Sequence, residues 1–146
     1  MDMTKLEGKL PSGSLDFAVF VYLCSLDECD DPDFSQSVVF GFFEQAEETF
    51  NSIEDRLKEK DFETISQYAS FLQGPSKTLG LIKVTDRLLK VERYSLGQNE
   101  DGTEAPDSDD LDLRLKRVTE AYKMVKKDYG DVEGPLRDFY DELENQ

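Results

Sequence analysis

The chain has 146 residues, 33 acidic against 17 basic, for a formal net charge of −16. That length suits one domain able to bury a core without disulfides or metal. The charge sets nucleic acid and anionic membrane aside as partners and leaves a protein with a basic or mixed face. The absence of histidine excludes histidine acid–base catalysis, histidine-ligated metal and phosphohistidine chemistry.

Residues 1–13 carry Gly8, Pro11 and Gly13. They read as a flexible leader without the apolar stretch of a secretory signal, and a single helical domain is expected over 14–146. In "SGSLDF", Ser14 offers an N-cap for a helix from Leu15 to about Leu26. Leu15, Val19, Tyr22, Leu23 and Leu26 lie on one side of that helix; Phe17, Phe20, Val21 and Cys24 lie roughly opposite. A helix apolar on both sides is buried on both, or keeps one for a partner. The run "FAVFVYLC" is too short to cross a bilayer, so a soluble protein of the cytoplasm or nucleus is expected. Cys24 and Cys29 match no common zinc spacing and read as buried or spectator thiols.

"DECDDPDFS" is an acidic turn, and Pro32 and Asp33 open the second helix. Val39, Phe43, Ala46, Phe50, Ile53 and Leu57 follow at alternating spacings of 4 and 3, a bundle seam. Phe34, Val38 and Phe42 form another stripe, turned away from the middle of it. The third helix starts near Asp61. Ile65, Ala69, Leu72, Ser76 and Leu79 mark its core side, and the pattern runs on through Leu81, Val84, Leu88 and Val91. Ser70 falls about 140° from Ile65, outside the core stripe. Gly74 lies one turn on, and Gln73 and Lys77 flank the pair. The Gly74-Pro75 pair predicts a kink or loosened turn within Phe71–Pro75.

Residues 96–112 are polar, acidic and rich in turn formers, and read as a mobile loop. In the last region Leu111, Leu115, Val118, Tyr122, Val125 and Tyr129 alternate by 4 and 3, and Val132, Leu136, Phe139 and Leu143 continue the register. This predicts a long helix, kinked or restarted near Pro135. With no strand-like alternation anywhere, the expected fold is all-α: an antiparallel four-helix bundle with a short extra N-terminal helix and a long acidic loop before the last helical region.

The segment "SFLQGPSKTLGL" resembles the active segment of histidine-containing phosphotransfer (HPt) proteins, H-x-L-K-G-S-S-x-x-L-G. From about Leu15 onward the chain resembles the fungal phosphorelay intermediates of that family. The resemblance implies a helix histidine that accepts a phosphoryl group from one receiver domain's aspartate and passes it to another. It also implies a lysine three residues later that helps bind phosphate, and a glycine that lets the receiver close over the imidazole. Receivers of the family dock on an apolar patch around the histidine. By position that patch is Val19, Leu23, Leu26, Phe34, Val38 and Phe71, with Ser70, Gln73, Gly74 and Lys77 at its centre.

Here the histidine position holds Ser70, the lysine position Gln73 and the first motif serine Pro75. A serine phosphate is a stable ester that does not readily return its group to an aspartate. No histidine is present to activate a serine, and a neutral amide at Gln73 weakens charge-assisted phosphate binding. The chain therefore reads as a pseudo-HPt protein: not an enzyme, needing no cofactor or metal, with no catalytic residue at Ser70 or Gln73. It is expected to be a monomer alone and to bind the receiver domain of a response regulator or hybrid kinase, as a decoy or modulator of a phosphorelay. Two other readings stay open. One is a bundle repurposed as a subunit or scaffold in an unrelated complex. The other, weaker, is an active phosphotransfer protein using a different residue.

Overall fold

The computed structural model describes residues 3–28 and 31–145; Cys29 lies outside them. Among the described residues six helices follow one another: α1 (Thr4–Lys9), α2 (Phe17–Ser25), α3 (Asp33–Glu59), α4 (Phe62–Thr78), α5 (Ile82–Ser95) and α6 (Leu111–Glu144). The last four form the bundle. α4 packs on α3 and α5, and α6 packs on α5 and α3. The connections at Lys60–Asp61 and Leu79–Leu81 are too short for anything but antiparallel neighbours. α2 lies on α3 and α1 on α6. None of the described helices is long and apolar enough to cross a membrane.

The seam expected on α3 is the core. Val39, Phe43, Ala46, Phe50 and Ile53 are buried, and Leu57 packs against them at the edge. They meet the α6 register, whose Val118, Tyr122, Val125, Tyr129, Val132, Leu136 and Phe139 are all buried. Tyr129 sits among Phe42, Phe43 and Phe50 with ring centroids 5.2 to 6.5 Å away. Phe42, expected on the outward stripe of α3, is thus a core residue.

Three expectations are corrected. Residues 4–9, within the stretch read as a flexible leader, form α1: Leu6 is buried in the core, and Lys5 pairs with Glu142 of α6 at 2.6 Å. The α2 cap is Asp16, not Ser14; Asp16 accepts from the amides of Ala18 and Val19, while Ser14 donates to the Pro11 carbonyl. The third helix is two, because Gly80 turns the chain with φ +82° between α4 and α5. The last helix is the long one expected, and it does not restart at Pro135. Interior proline costs about 3 kcal/mol, but burying a large side chain stabilises by about 1.5–3 kcal/mol, and Val132, Leu136 and Phe139 hold the register on both sides.

The stretch read as a mobile loop folds back on the bundle. The Asn99 amide donates to the Thr103 carbonyl and that of Ala105 to Gly97. Ala105 is buried, and Arg117 of α6 takes both oxygens of Asp107 at 2.8 and 3.1 Å. Turn formers here build a hydrogen-bonded loop anchored by arginine.

Where α3 meets α6, the Tyr122 hydroxyl donates to Glu54 at 2.6 Å, with Lys126 3.3 Å from the same oxygen. The tyrosine hydrogen bond, reinforced by the lysine, holds the Glu54 carboxyl below its ordinary pKa. Such a group stabilises the fold above its unfolded pKa, and the contribution is lost as pH falls through the lower folded value. Glu54→Gln therefore lowers stability at neutral pH, by a difference that shrinks as the solution is acidified through the carboxylate range. Urea titrations at two pH values measure it.

Candidate functional site

α4 sends its motif residues in two directions. Inward, Leu72, Ser76 and Leu79 are buried. Ser76 Oγ lies 2.7 Å from Thr85 Oγ1 of α5 and also donates to the Gln73 carbonyl. These bonds satisfy hydroxyls that would be costly to bury unpaired. Gly80 then closes the turn. Its carbonyl accepts the Asp16 amide at 2.8 Å, and a Cβ at Gly80 would stand 2.8 Å from the Asp16 carbonyl oxygen. Positive φ and this close approach both demand glycine.

Outward, Ser70, Phe71, Gly74 and Lys77 are exposed. Among the described residues nothing hydrogen-bonds the Ser70 hydroxyl. Gln73 turns toward α5 and donates from Nε2 to Glu92 Oε1 at 3.0 Å. The position where the resembling motif has a lysine thus carries a neutral amide tied to a carboxylate. α4 remains helical from Phe62 to Thr78 with Pro75 inside it, so the Gly74-Pro75 pair does not end the helix. The carbonyl that loses its amide partner belongs to Phe71, a solvent-exposed residue.

On the α3 side, Pro75 and Thr78 face Ser37, Val38, Gly41 and Gln45 across a shallow cleft of about 340 Å³. On the α5 side, Lys77 shares a second cleft of about 340 Å³ with Val19, Ile82, Thr85 and Asp86. Ser70 and Gly74 lie on the outer surface of α4 between these two flanks.

The expected apolar patch is only partly at the surface. Phe71 (57% exposed), Leu26 (50%) and Phe34 (49%) stand in solvent, and Val19 and Val38 are half-buried. Leu23 is buried at 6% and cannot belong to an open face. With its cap at Asp16, α2 rolls Phe20, Leu23 and Cys24 inward and turns Val21 and Tyr22 out. Tyr22, 67% exposed, is the most open large side chain of the group. It belonged to a stripe that splits between core and surface.

Leu26 and Phe34 are held on either side of the α2–α3 corner. The Tyr140 hydroxyl of α6 donates to Ser35 Oγ at 2.8 Å, and Ser35 Oγ donates to Asp27 Oδ2 at 2.6 Å. The Ser35 amide donates to Asp27 Oδ1 at 2.7 Å. Cys24, buried and unpaired by disulfide, lies 3.9 Å from the Tyr140 hydroxyl, and burial pushes its thiol pKa up. Such a thiol is a packing residue, as the sequence suggested.

The family model of the Hpt domain matches residues 38–145. Multistep phosphorelay regulator 1 of Schizosaccharomyces pombe is 32% identical over 127 residues, 87% of this chain and 42% of that protein. Phosphorelay intermediate protein YPD1 of Candida albicans is 37% identical over 107 residues, 73% of this chain and 58% of that protein. The chain spans about half the length of the curated relatives it matches. Among solved structures, the yeast phosphorelay protein YPD1 aligns with a TM-score of 0.78 at 18% identity, over 90% of this chain and 98% of that one. Saccharomyces cerevisiae Ypd1 co-crystallised with the receiver domain of its downstream response regulator Ssk1 aligns with a TM-score of 0.77 at 19% identity, over 90% and 97%. At these identities the structural likeness concerns the fold.

The two directions of α4 separate stability from surface chemistry. Gly80→Ala should destabilise the protein by about 2 kcal/mol through strain at the turn, whereas Ser70→Ala should leave the midpoint of urea unfolding where it is. Equal midpoints for both variants would contradict this division.

Proposed function

The chain belongs to the Hpt domain family, and from that premise we propose that it is a docking module that engages a receiver domain without accepting its phosphoryl group. The observation that carries this reading is Ser70 itself. Where the family's motif has its histidine, the chain has an exposed hydroxyl with no activating partner among the described residues, in a protein without histidine. The phosphate-binding position has been converted as well, since Gln73 is engaged by Glu92. A phosphoryl group brought to this face would meet a carboxylate where the motif supplies a cation.

What remains is a surface for contact. Phe71, Leu26 and Phe34 present large apolar side chains to solvent, and Gly74 leaves open space above the middle of α4. Exposed aromatic and aliphatic residues of this size supply the anchors of protein interfaces. Saccharomyces cerevisiae Ypd1 is seen bound to the receiver domain of a response regulator, and a receiver is the partner we assign to this face. A module that docks but does not transfer competes with active phosphotransfer proteins, which makes it a decoy or modulator of a phosphorelay. Repurposing of the bundle as a scaffold is the second reading; Tyr22 and Val21, open on α2 beyond the positions that match the family patch, favour it.

Calorimetry against receiver domains from the same cell tests the proposal. Saturable binding is expected, weakened about thirtyfold or more by Phe71→Asp or Phe34→Asp. Incubation with a phosphorylated receiver should leave no label on the chain. Label stably attached to Ser70, or binding indifferent to both substitutions, would overturn the reading. Ser70→His combined with Gln73→Lys should gain weak phosphate acceptance, read as acid-labile label.

A further inference from the structure

The α5 helix runs against the charge of the rest of the protein. Lys83, Arg87, Lys90 and Arg93 recur at spacings of 4, 3 and 3, which places them along one face. They line a cleft of about 350 Å³ together with Asp86, Leu89 and Glu100. In a chain of net charge −16, four cations on a single helical stripe are a local reversal of sign. Lys83 has no ion pair among the described residues. Arg87 pairs with Asp128 of α6 at 3.2 Å.

The acidic loop shows how this stripe receives a carboxylate. Glu100 reaches back to place Oε1 2.8 Å from Lys90 Nζ, and Arg93 donates to the Glu100 carbonyl. Asp86 also lines a neighbouring cleft, where Val19, Leu81 and Ile82 stand with Asp16, Lys77 and Thr85. Ile82 is exposed there. A recess with Ile82 in its wall therefore adjoins the cationic track, the two sharing Asp86. From Lys83 to Arg93 the track is about 15 Å long at helical rise, the span of about five residues of extended chain.

We infer that this track is a second docking site, and that its occupant is an acidic peptide segment of a partner protein, with an apolar residue seated at Ile82 and carboxylates along Lys83, Lys90 and Arg93. Linear spacing of the cations matches a chain of carboxylates better than one compact phosphate. Glu100 is the occupant supplied by the protein itself, so the loop competes with the partner for Lys90. The inference does not rest on receiver binding, because the cations lie on α5; the recess at Ile82 shares only Val19 and Lys77 with the receiver face.

Fluorescence anisotropy of a labelled peptide, a leucine followed by a short run of glutamates, tests this on the full chain at low ionic strength. Saturable binding is expected, lost at high salt. Lys83→Glu should weaken it about tenfold. Lys58→Glu, a charge reversal of the same size on α3 outside the track, should not. Glu100→Gln should tighten it about threefold by removing the internal competitor. Phe71→Asp should leave it unchanged, which separates this site from the receiver face. Equal effects of Lys83→Glu and Lys58→Glu, or no tightening with Glu100→Gln, would overturn the inference. Tighter binding of inorganic triphosphate than of the peptide would overturn the assignment of the occupant.

Discussion

One turn, at Gly80, sets the geometry on which both surfaces depend. It ends α4, starts α5, and accepts the amide of Asp16, the residue that caps α2. Only a residue without a side chain can sit with φ +82° and let the Asp16 carbonyl approach this closely. Three helices are therefore referenced to one backbone position. The turn lays α5 against α4 in the register that brings Thr85 to Ser76 and Glu92 to Gln73. It also brings Val19 to the edge of α5, where the recess at Ile82 opens.

A second junction fixes the far edge of the same face. The run from Tyr140 through Ser35 to Asp27 joins α6, α3 and the end of α2 by hydrogen bonds between buried or half-buried groups. Unpaired, these hydroxyls and the amide would each cost about 1–3 kcal/mol, so the corner is specified by polarity as much as by packing. Its consequence is directional. With Leu23 and Phe20 drawn into the core, Leu26 and Phe34 are left in solvent on either side of the corner. Exposure of these apolar residues follows from how the interior was satisfied.

The long helices were legible because their apolar spacing is regular and their burial is large; α3 and α6 follow the register of Val39 to Leu57 and Val118 to Phe139. Local signals were less faithful. Ser14 and Asp16 are both good caps, and spacing alone could not choose between them. Leu79-Gly80-Leu81 keeps apolar periodicity across a turn, so two helices read as one. Gly80, with its left-handed φ, is the stop that folds α5 back and pairs Gln73 with Glu92. The prolines do not end their helices. Apolar residues around Pro75 and Pro135 hold the register that the lost hydrogen bond would release. For α2, two stripes on a nine-residue helix left its roll undetermined, and Leu23 and Tyr22 fell on opposite sides of the surface.

The inner and outer halves of the α4 motif answer to different constraints. Ser76, Leu79 and Gly80 are held by α5 and α2, and changing any of them disturbs packing that every copy of the fold needs. Ser70 is exposed and nothing stands within 4 Å of a Cβ at Gly74, and among the described residues Gln73 makes its side-chain bond to a carboxylate near the surface. A nucleophile at position 70 and a cation at position 73 would contribute to chemistry and almost nothing to stability. They can therefore be lost without a folding penalty, whereas the turn and the Ser76–Thr85 bond cannot. This asymmetry lets the chemistry on the outer face of α4 vary while the packing beneath it is kept.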